Sequence, residues 1–228
     1  PNWKLEGVGE LTGLTGQLLA SRMPGRMSGR YKLETVLIRS EKEDQFEPFD
    51  LKLTNFLYQS GGAKLQEPQL QLTGSFAINR ESQTLTSDEM ILNCPTIAAR
   101  VNDLKLPLHD LSSTDAKLAA RGRIERLWNY VEPNSTRPAP TGMLNLQLSA
   151  SRQLNGTELV WKLTADDLKW PEPIAGVPTR TVSTNNRTNI APAWRGKASY
   201  LTANDRLSIT ESHISAEGLD CRLTGNID

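Results

Sequence analysis

The chain has 228 residues, 26 basic and 26 acidic side chains and 37% hydrophobic residues; its 16 glycines add 16/228, about 7%, to the apolar class. The resulting 44% lies just under the usual globular range of roughly 45–50%, so any core is thin. Balanced charge removes the electrostatic footprint of a nucleic-acid or anionic-membrane binder, and no run approaches the roughly 18 apolar residues of a membrane span. A soluble, β-rich binding or scaffold module is what these numbers leave.

Taken in chain order, the elements are dominated by alternation of apolar and polar residues, the mark of half-buried strands. Pro1-Asn2-Trp3 leads at once into a strand-like run. Leu51-Leu53 is a short example, and Leu70, Leu72, Gly74, Phe76 and Ile78 form the longest, with Gln71, Thr73, Ser75 and Asn79 opposite. Leu104-Leu106-Leu108, Leu144-Leu146-Leu148, Leu159-Trp161-Leu163, Leu207-Ile209 and Leu219-Cys221-Leu223-Gly225-Ile227 continue the pattern. Mostly polar opposite faces fit antiparallel sheets with one wet side. Ser60-Gly61-Gly62, Asn155-Gly156, Ala203-Asn204-Asp205 and Glu217-Gly218 read as turns, with Asn155-Gly156 the best hairpin.

One stretch competes as a helix. Ser113 to Val131 carries Ala120, Ile124, Leu127, Trp128 and Val131 at mostly 3- and 4-residue steps, with Ser113 or Thr114 as a cap. Gly122 in its middle and the alternation of Leu118, Ala120, Gly122 and Ile124 favour strand instead. A short helix within residues 14–28 is the other candidate. Residues 132–141 and 171–192 are proline-rich and are expected as loops or crossovers. The fold expected is therefore all-β: many short antiparallel strands in a curved open sheet or groove, or a β-sandwich, with at most one or two short helices. It reads as a single module over 1–228, a piece of a longer protein, with a subdivision into 1–131 and 142–228 at the first proline-rich stretch as the alternative. A weak internal echo relates 85–101 to 209–223, with Cys94 and Cys221 at roughly similar places in it.

Residues that could carry chemistry are sparse. His109 and His213 have no partner histidine at metal-ligand spacing, and Glu211, Ser212 and His213 are adjacent, so a strand points them to opposite faces. The acidic pairs Asp88-Glu89 and Asp166-Asp167 read as turn residues. No phosphate loop, metal site or cofactor motif is present, and no catalytic residue is assigned. Cys94 and Cys221 read as two buried thiols, with a single disulfide as the alternative. Trp161 falls on an alternating strand, whereas Trp170 and Trp194 flank the long proline-rich stretch, where indoles could stack on sugars.

The phrases Lys117-Leu-Ala-Ala-Arg-Gly-Arg-Ile-Glu-Arg-Leu, Leu144-Asn-Leu-Gln-Leu-Ser-Ala, Leu70-Gln-Leu-Thr-Gly-Ser-Phe-Ala-Ile and Ile214-Ser-Ala-Glu-Gly-Leu-Asp-Cys-Arg-Leu-Thr-Gly-Asn-Ile carry a resemblance over about two-thirds of the chain. Their strand, small residue, glycine, strand texture resembles AsmA-like proteins, the family that includes TamB; the proline-rich stretches and the tryptophans depart from it. The resemblance implies a periplasmic, non-enzymatic module of a bacterial envelope protein, anchored at the inner membrane by a segment outside this chain. It further implies a β-groove whose apolar face carries phospholipid acyl chains in outer-membrane biogenesis, with phospholipid and other envelope proteins as partners, no nucleic acid and no cofactor. The lining residues would be Leu70, Leu72, Phe76, Ile78, Leu144, Leu146, Leu148, Leu159, Trp161, Leu163, Leu219 and Leu223; the competing expectation is that these fill an ordinary sandwich core. The alternative function is a carbohydrate-binding β-sandwich that uses Trp170 and Trp194.

Overall fold

A computed structural model describes residues 2–11, 26–60, 63–109, 113–132, 138–154, 156–169, 192–201, 206–216 and 219–227. Twelve strands follow one another: β1 (Asn2–Glu10), β2 (Arg26–Arg39), β3 (Glu43–Ser60), β4 (Ala63–Asn79), β5 (Thr84–Asn93), β6 (Ile97–Pro107), β7 (Asp115–Arg123), β8 (Thr141–Gln153), β9 (Gly156–Lys169), β10 (Ala193–Leu201), β11 (Arg206–Ala216) and β12 (Leu219–Ile227). Between β7 and β8 lies a helix, α1 (Ile124–Val131). Each strand pairs antiparallel with the next, so the spatial order is the chain order from β1 to β12 in one open sheet. The open-sheet form of the expected all-β class is thus the one adopted, and no second sheet is present among the described residues.

Short connections account for most of this order, because an antiparallel pair needs only a tight turn; β1–β2, β7–β8 and β9–β10 are joined by longer ones. Ser60 pairs with Ala63, Gln153 with Gly156 and Ala216 with Leu219, which leaves two residues for each turn. The expected hairpin therefore joins β8 to β9, with Gly156 already in the ladder opposite Gln153 at φ +154°; residue 155 lies outside the described residues. β7 and β8 are neighbours in unbroken register from Ala116↔Ala150 to Arg123↔Met143, so the sheet runs on past the proline-rich stretch at 132–141. The stretch 113–131 obeys both of its periodicities in turn. Leu118, Ala120 and Gly122 alternate within β7, and Ile124, Leu127 and Trp128 then follow helical spacing within α1. Neither Ser113 nor Thr114 caps that helix; Arg123 occupies the N-cap without a side-chain bond. Of the helix sought at 14–28, residues 26–28 begin β2, and the rest lies outside the described residues.

The strands run to 18 residues in β3 and 17 in β4, longer than the short runs the sequence suggested. Many apparent breaks are bulges inside strands. Seven of the eleven strand pairs contain a register shift. A bulge places one extra residue against the partner strand and increases local twist. Gly142 and Asp167 show how one is built: Asp167 takes φ +52°, and a Cβ on Gly142 would lie 2.8 Å from the Asp166 carbonyl oxygen. Asp166-Asp167 and Asp88-Glu89 are therefore strand residues at or beside bulges, not turn residues; Asp is chosen at Asp167 because it tolerates the same left-handed backbone that a turn demands.

The sheet is a single layer. Among the described residues, the buried hydrophobic side chains are those of Leu53, Phe56, Ile124, Ala165 and Ala198. The surface of 15599 Å² for 25.3 kDa compares with about 10,300 Å² from the scaling for compact monomers of that mass. Among the described residues β1 and β12 each have one neighbour, and so form the two edges.

Candidate functional site: an uncovered apolar sheet face

Strand alternation puts every second side chain on one face, and register decides whether neighbouring strands agree. Here they agree across the whole sheet. Trp3 lies opposite Leu37 and Leu5 opposite Thr35. Leu33 faces Leu51, which faces Leu72, which faces Leu92. Leu92 continues to Ala99, Ala120 and Leu146, and from Leu146 to Leu163 and Trp194. Trp194 faces Ile214, and Ile214 faces Cys221 on the last strand. One apolar row therefore crosses from β2 to β12. Parallel rows run through Leu53–Leu70 and through Leu118–Leu148–Trp161.

All of the expected lining residues fall on this face: Leu70, Leu72, Phe76 and Ile78 on β4, Leu144, Leu146 and Leu148 on β8, Leu159, Trp161 and Leu163 on β9, Leu219 and Leu223 on β12. None is buried; those on β4, β8 and β9 are half-buried, while Leu219 and Leu223 are each 52% exposed. A sandwich core would have covered them. Aromatic contacts stiffen the face. Phe46 stacks on Phe76 with ring centroids 4.6 Å apart, and Phe49 meets Phe76 edge-on at 5.1 Å. Phe46 and Phe49 escaped the sequence reading because the register shift between them breaks the two-residue period.

Trp194 lies on the same apolar face. It meets Trp161 edge-on at 5.7 Å, and its indole N–H donates to Ser212 Oγ at 2.9 Å. Trp161 in turn lies across Gly196, where a Cβ would come within 2.3 Å of its ring. The two indoles form a wedge within the sheet face. Trp170 and residues 171–191 lie outside the described residues.

The opposite face carries the charge, arranged in near-neighbour pairs: Lys4–Glu6 at 2.5 Å, Lys32–Glu34 at 2.7 Å, Asp50–Lys52 at 3.0 Å, Asp103–Lys117 at 2.7 Å and Glu158–Lys197 at 2.5 Å. Such exposed pairs contribute little stability, but they explain a zero net charge on a strongly amphipathic sheet. His213 Nε2 lies 3.0 Å from Asp220 Oδ2, and the imidazole holds the Asp220 carboxyl below its ordinary range. Ser212 points to the apolar face and His213 to the polar one, so these adjacent residues do not converge. His109 is exposed beside the end of β6, and no cluster of metal-ligand side chains occurs among the described residues. Cys94 and Cys221 are free and half-buried. Cys94 sits in the β5–β6 turn and Cys221 inside β12, so their places in the proposed echo are not equivalent and no disulfide joins them.

One end of the apolar face is occupied by α1, which packs against β4, β7 and β8. Leu127 Cδ1 comes to 3.0 Å from the position a Cβ on Gly122 would take, so the glycine leaves room for the helix. Tyr130 completes the attachment: its hydroxyl donates to Glu67 Oε1 and lies 2.8 Å from Thr96 Oγ1. Glu67 is 1% exposed and its Oε2 has no hydrogen-bond partner. Burial, reinforced by the Glu67 carboxylate, pushes the Tyr130 phenol far above its ordinary range, and burial also raises the Cys94 thiol. Sequence reading missed Glu67 because a polar residue between Gln66 and Pro68 carries no sign of burial.

Comparison with known protein families, with curated proteins and with solved structures finds no match to this chain.

Proposed function

We propose that this chain is a non-enzymatic lipid-holding module whose apolar sheet face accommodates phospholipid acyl chains, as part of a bacterial envelope protein on the periplasmic side. The observation that carries the reading is the continuous apolar face on a single-layer sheet whose other face is charged. Exposed apolar patches of this extent mark binding surfaces, since monomeric proteins rarely leave them bare. A hydrocarbon chain suits the face better than a polar ligand does. Its rows offer side-chain methyls, methylenes and aromatic edges, and each methylene moved out of water contributes up to about 0.8 kcal/mol. Eleven strand spacings of about 4.8 Å span about 53 Å, against about 15 Å for one leaflet of a roughly 30 Å hydrocarbon core. The face thus has room for several acyl chains in line. A sugar-stacking role for Trp194 is less favoured, because its ring meets Trp161 edge-on and its N–H is engaged by Ser212.

The test is native mass spectrometry of the 228-residue chain after incubation with vesicles of phosphatidylethanolamine and phosphatidylglycerol. Fewer bound phospholipids in a Leu146→Glu variant, with the wild-type number kept in a Gln147→Glu variant, supports the reading. Absence of bound lipid, or equal binding by both variants, overturns it.

A further inference from the structure

A polar pocket lies beside α1, at the end of the apolar face, and an acyl chain has no use for it. Residues of α1, β3 and β4 line a cavity of about 460 Å³, a size common among small-molecule sites. Its lining holds both signs of charge: Lys64 on β4, Arg126 on α1 and the carboxylate of Glu67. Opposite charges that line one cavity are expected to pair, and here they do not. Among the described residues neither Lys64 nor Arg126 forms an ion pair or a side-chain hydrogen bond. Glu67 accepts from the Tyr130 hydroxyl through Oε1 alone, and its buried Oε2 has no hydrogen-bond partner. Tyr130 has a single proton and gives it to Oε1, so Oε2 needs a donor from elsewhere. A buried acceptor left in that state is destabilising. Glu67 and Thr96 are the buried members of the lining, Arg126 is half-buried, and Lys64 and Asn129 are exposed at the mouth.

We infer that this pocket binds phosphoethanolamine, a phosphate ester that carries a primary ammonium, as the headgroup of a phospholipid or as the free ester. The ammonium brings Glu67 Oε2 both the missing N–H donor and a compensating charge. Lys64 and Arg126 take the phosphate, the guanidinium by two parallel bonds and the Lys64 ammonium as a point charge, and the Asn129 amide has N–H groups to add. A ligand with less chemistry leaves one of these groups unserved. Inorganic phosphate brings no donor to Oε2, a glycerol headgroup brings hydroxyls without charge, and choline brings the charge without an N–H. The position suits a headgroup. Leu70, paired with Leu53 in one of the apolar rows, lies three residues beyond Glu67 along β4, about 10 Å at a rise of about 3.3 Å per residue. Acyl chains attached to a phosphate in the pocket would therefore start where the apolar face begins. In its lipid form the inference rests on the acyl-chain reading above; for the free ester it stands without that reading.

Isothermal titration calorimetry of the 228-residue chain tests it with two sets of probes. O-phosphoethanolamine, phosphocholine and inorganic phosphate report on the pocket. Dihexanoyl phosphatidylethanolamine and dihexanoyl phosphatidylglycerol, below their micelle concentrations, report on the lipid. Phosphoethanolamine should bind about tenfold more tightly than phosphocholine, the scale of one charge-assisted hydrogen bond, and the ethanolamine lipid should be preferred over the glycerol lipid by a similar factor. Glu67→Gln, which leaves Tyr130 an acceptor, should erase both preferences, and Arg126→Gln should weaken every probe; circular dichroism checks that each variant keeps its sheet. No binding of phosphoethanolamine in either form, no preference for ethanolamine over choline or glycerol, or a preference that survives Glu67→Gln overturns the inference. A preference confined to the lipid and lost in Glu67→Gln assigns the pocket to a membrane lipid. A preference shown by the free ester, with neither lipid bound, upholds the pocket and overturns the acyl-chain reading. Equal binding of the two lipids, weakened by Leu146→Glu and indifferent to Glu67→Gln, does the reverse.

Discussion

Gly196→Ala is the sharpest probe of how this sheet holds its shape. The added methyl would lie 2.3 Å from Trp161 Cζ2, 2.7 Å from Trp161 Cε2 and 2.7 Å from the Glu211 carbonyl oxygen. The carbonyl belongs to the backbone of β11, which pairs with β10 through Lys197↔Glu211, so it cannot retreat without opening the ladder. The indole cannot swing freely either, because Trp194 stands edge-on against it at 5.7 Å. Overpacking of this kind costs about 1–3 kcal/mol; with both neighbours blocked, the upper half of that range applies, about 2–3 kcal/mol. For a chain of this size each kcal/mol lowers Tm by roughly 2–4 °C, so the expected fall is roughly 4–12 °C. Gly225→Ala is the matched control. It places the same methyl on the same face, where nothing lies within 4 Å, and its effect should stay within about 0.5 kcal/mol. Thermal melts followed by far-ultraviolet circular dichroism measure both. Repeating Gly196→Ala in a Trp161→Ala background should leave only the part of the penalty due to the Glu211 carbonyl. Equal melting temperatures for the two glycine variants, or an undiminished penalty without Trp161, would refute the packing described for β9 and β10.

Other expectations concern the face and the helix at its end. Leu146→Glu should abolish the fluorescence enhancement of a hydrophobic dye such as ANS bound near β8, whereas Gln147→Glu on the opposite face should leave it unchanged; the two residues are adjacent, so only the face distinguishes them. Tyr130 is held protonated in the folded chain well above its ordinary pKa of 10.0. The stability this contributes is complete below pH 10 and is lost as pH rises beyond it, because the unfolded chain ionises first. Urea midpoints should therefore fall above pH 10 in wild type and fall less in Tyr130→Phe, which should itself cost about 1–3 kcal/mol at neutral pH by leaving a buried acceptor unpaired. Glu67→Gln keeps an acceptor for Tyr130 and removes a buried charge, so its urea midpoint should equal or exceed that of wild type. Glu67→Ala should lower it.

Residue alternation specifies the strands and their two-sidedness. Leu70 to Ile78 and Leu144 to Leu148 alternate without interruption, and period 2 on a pleated backbone leaves no choice about which residues share a face. The same rule let the segment around Gly122 announce both a strand and a helix, each of which is present on its own side of Arg123. Tertiary structure alone decided how far that agreement extends. A bulge resets parity, so Phe46 and Phe49 share a face only because register with Gly74 and Phe76 restores it; pairing across strands is a long-range property that no local period encodes. It also decided that the apolar rows remain one uncovered layer, since alternation reads the same in a sandwich and in an open sheet. Glu67 makes the point in miniature: its neighbours in sequence mark it as a surface residue, and only the arrival of Tyr130, 63 residues further along the chain, encloses it.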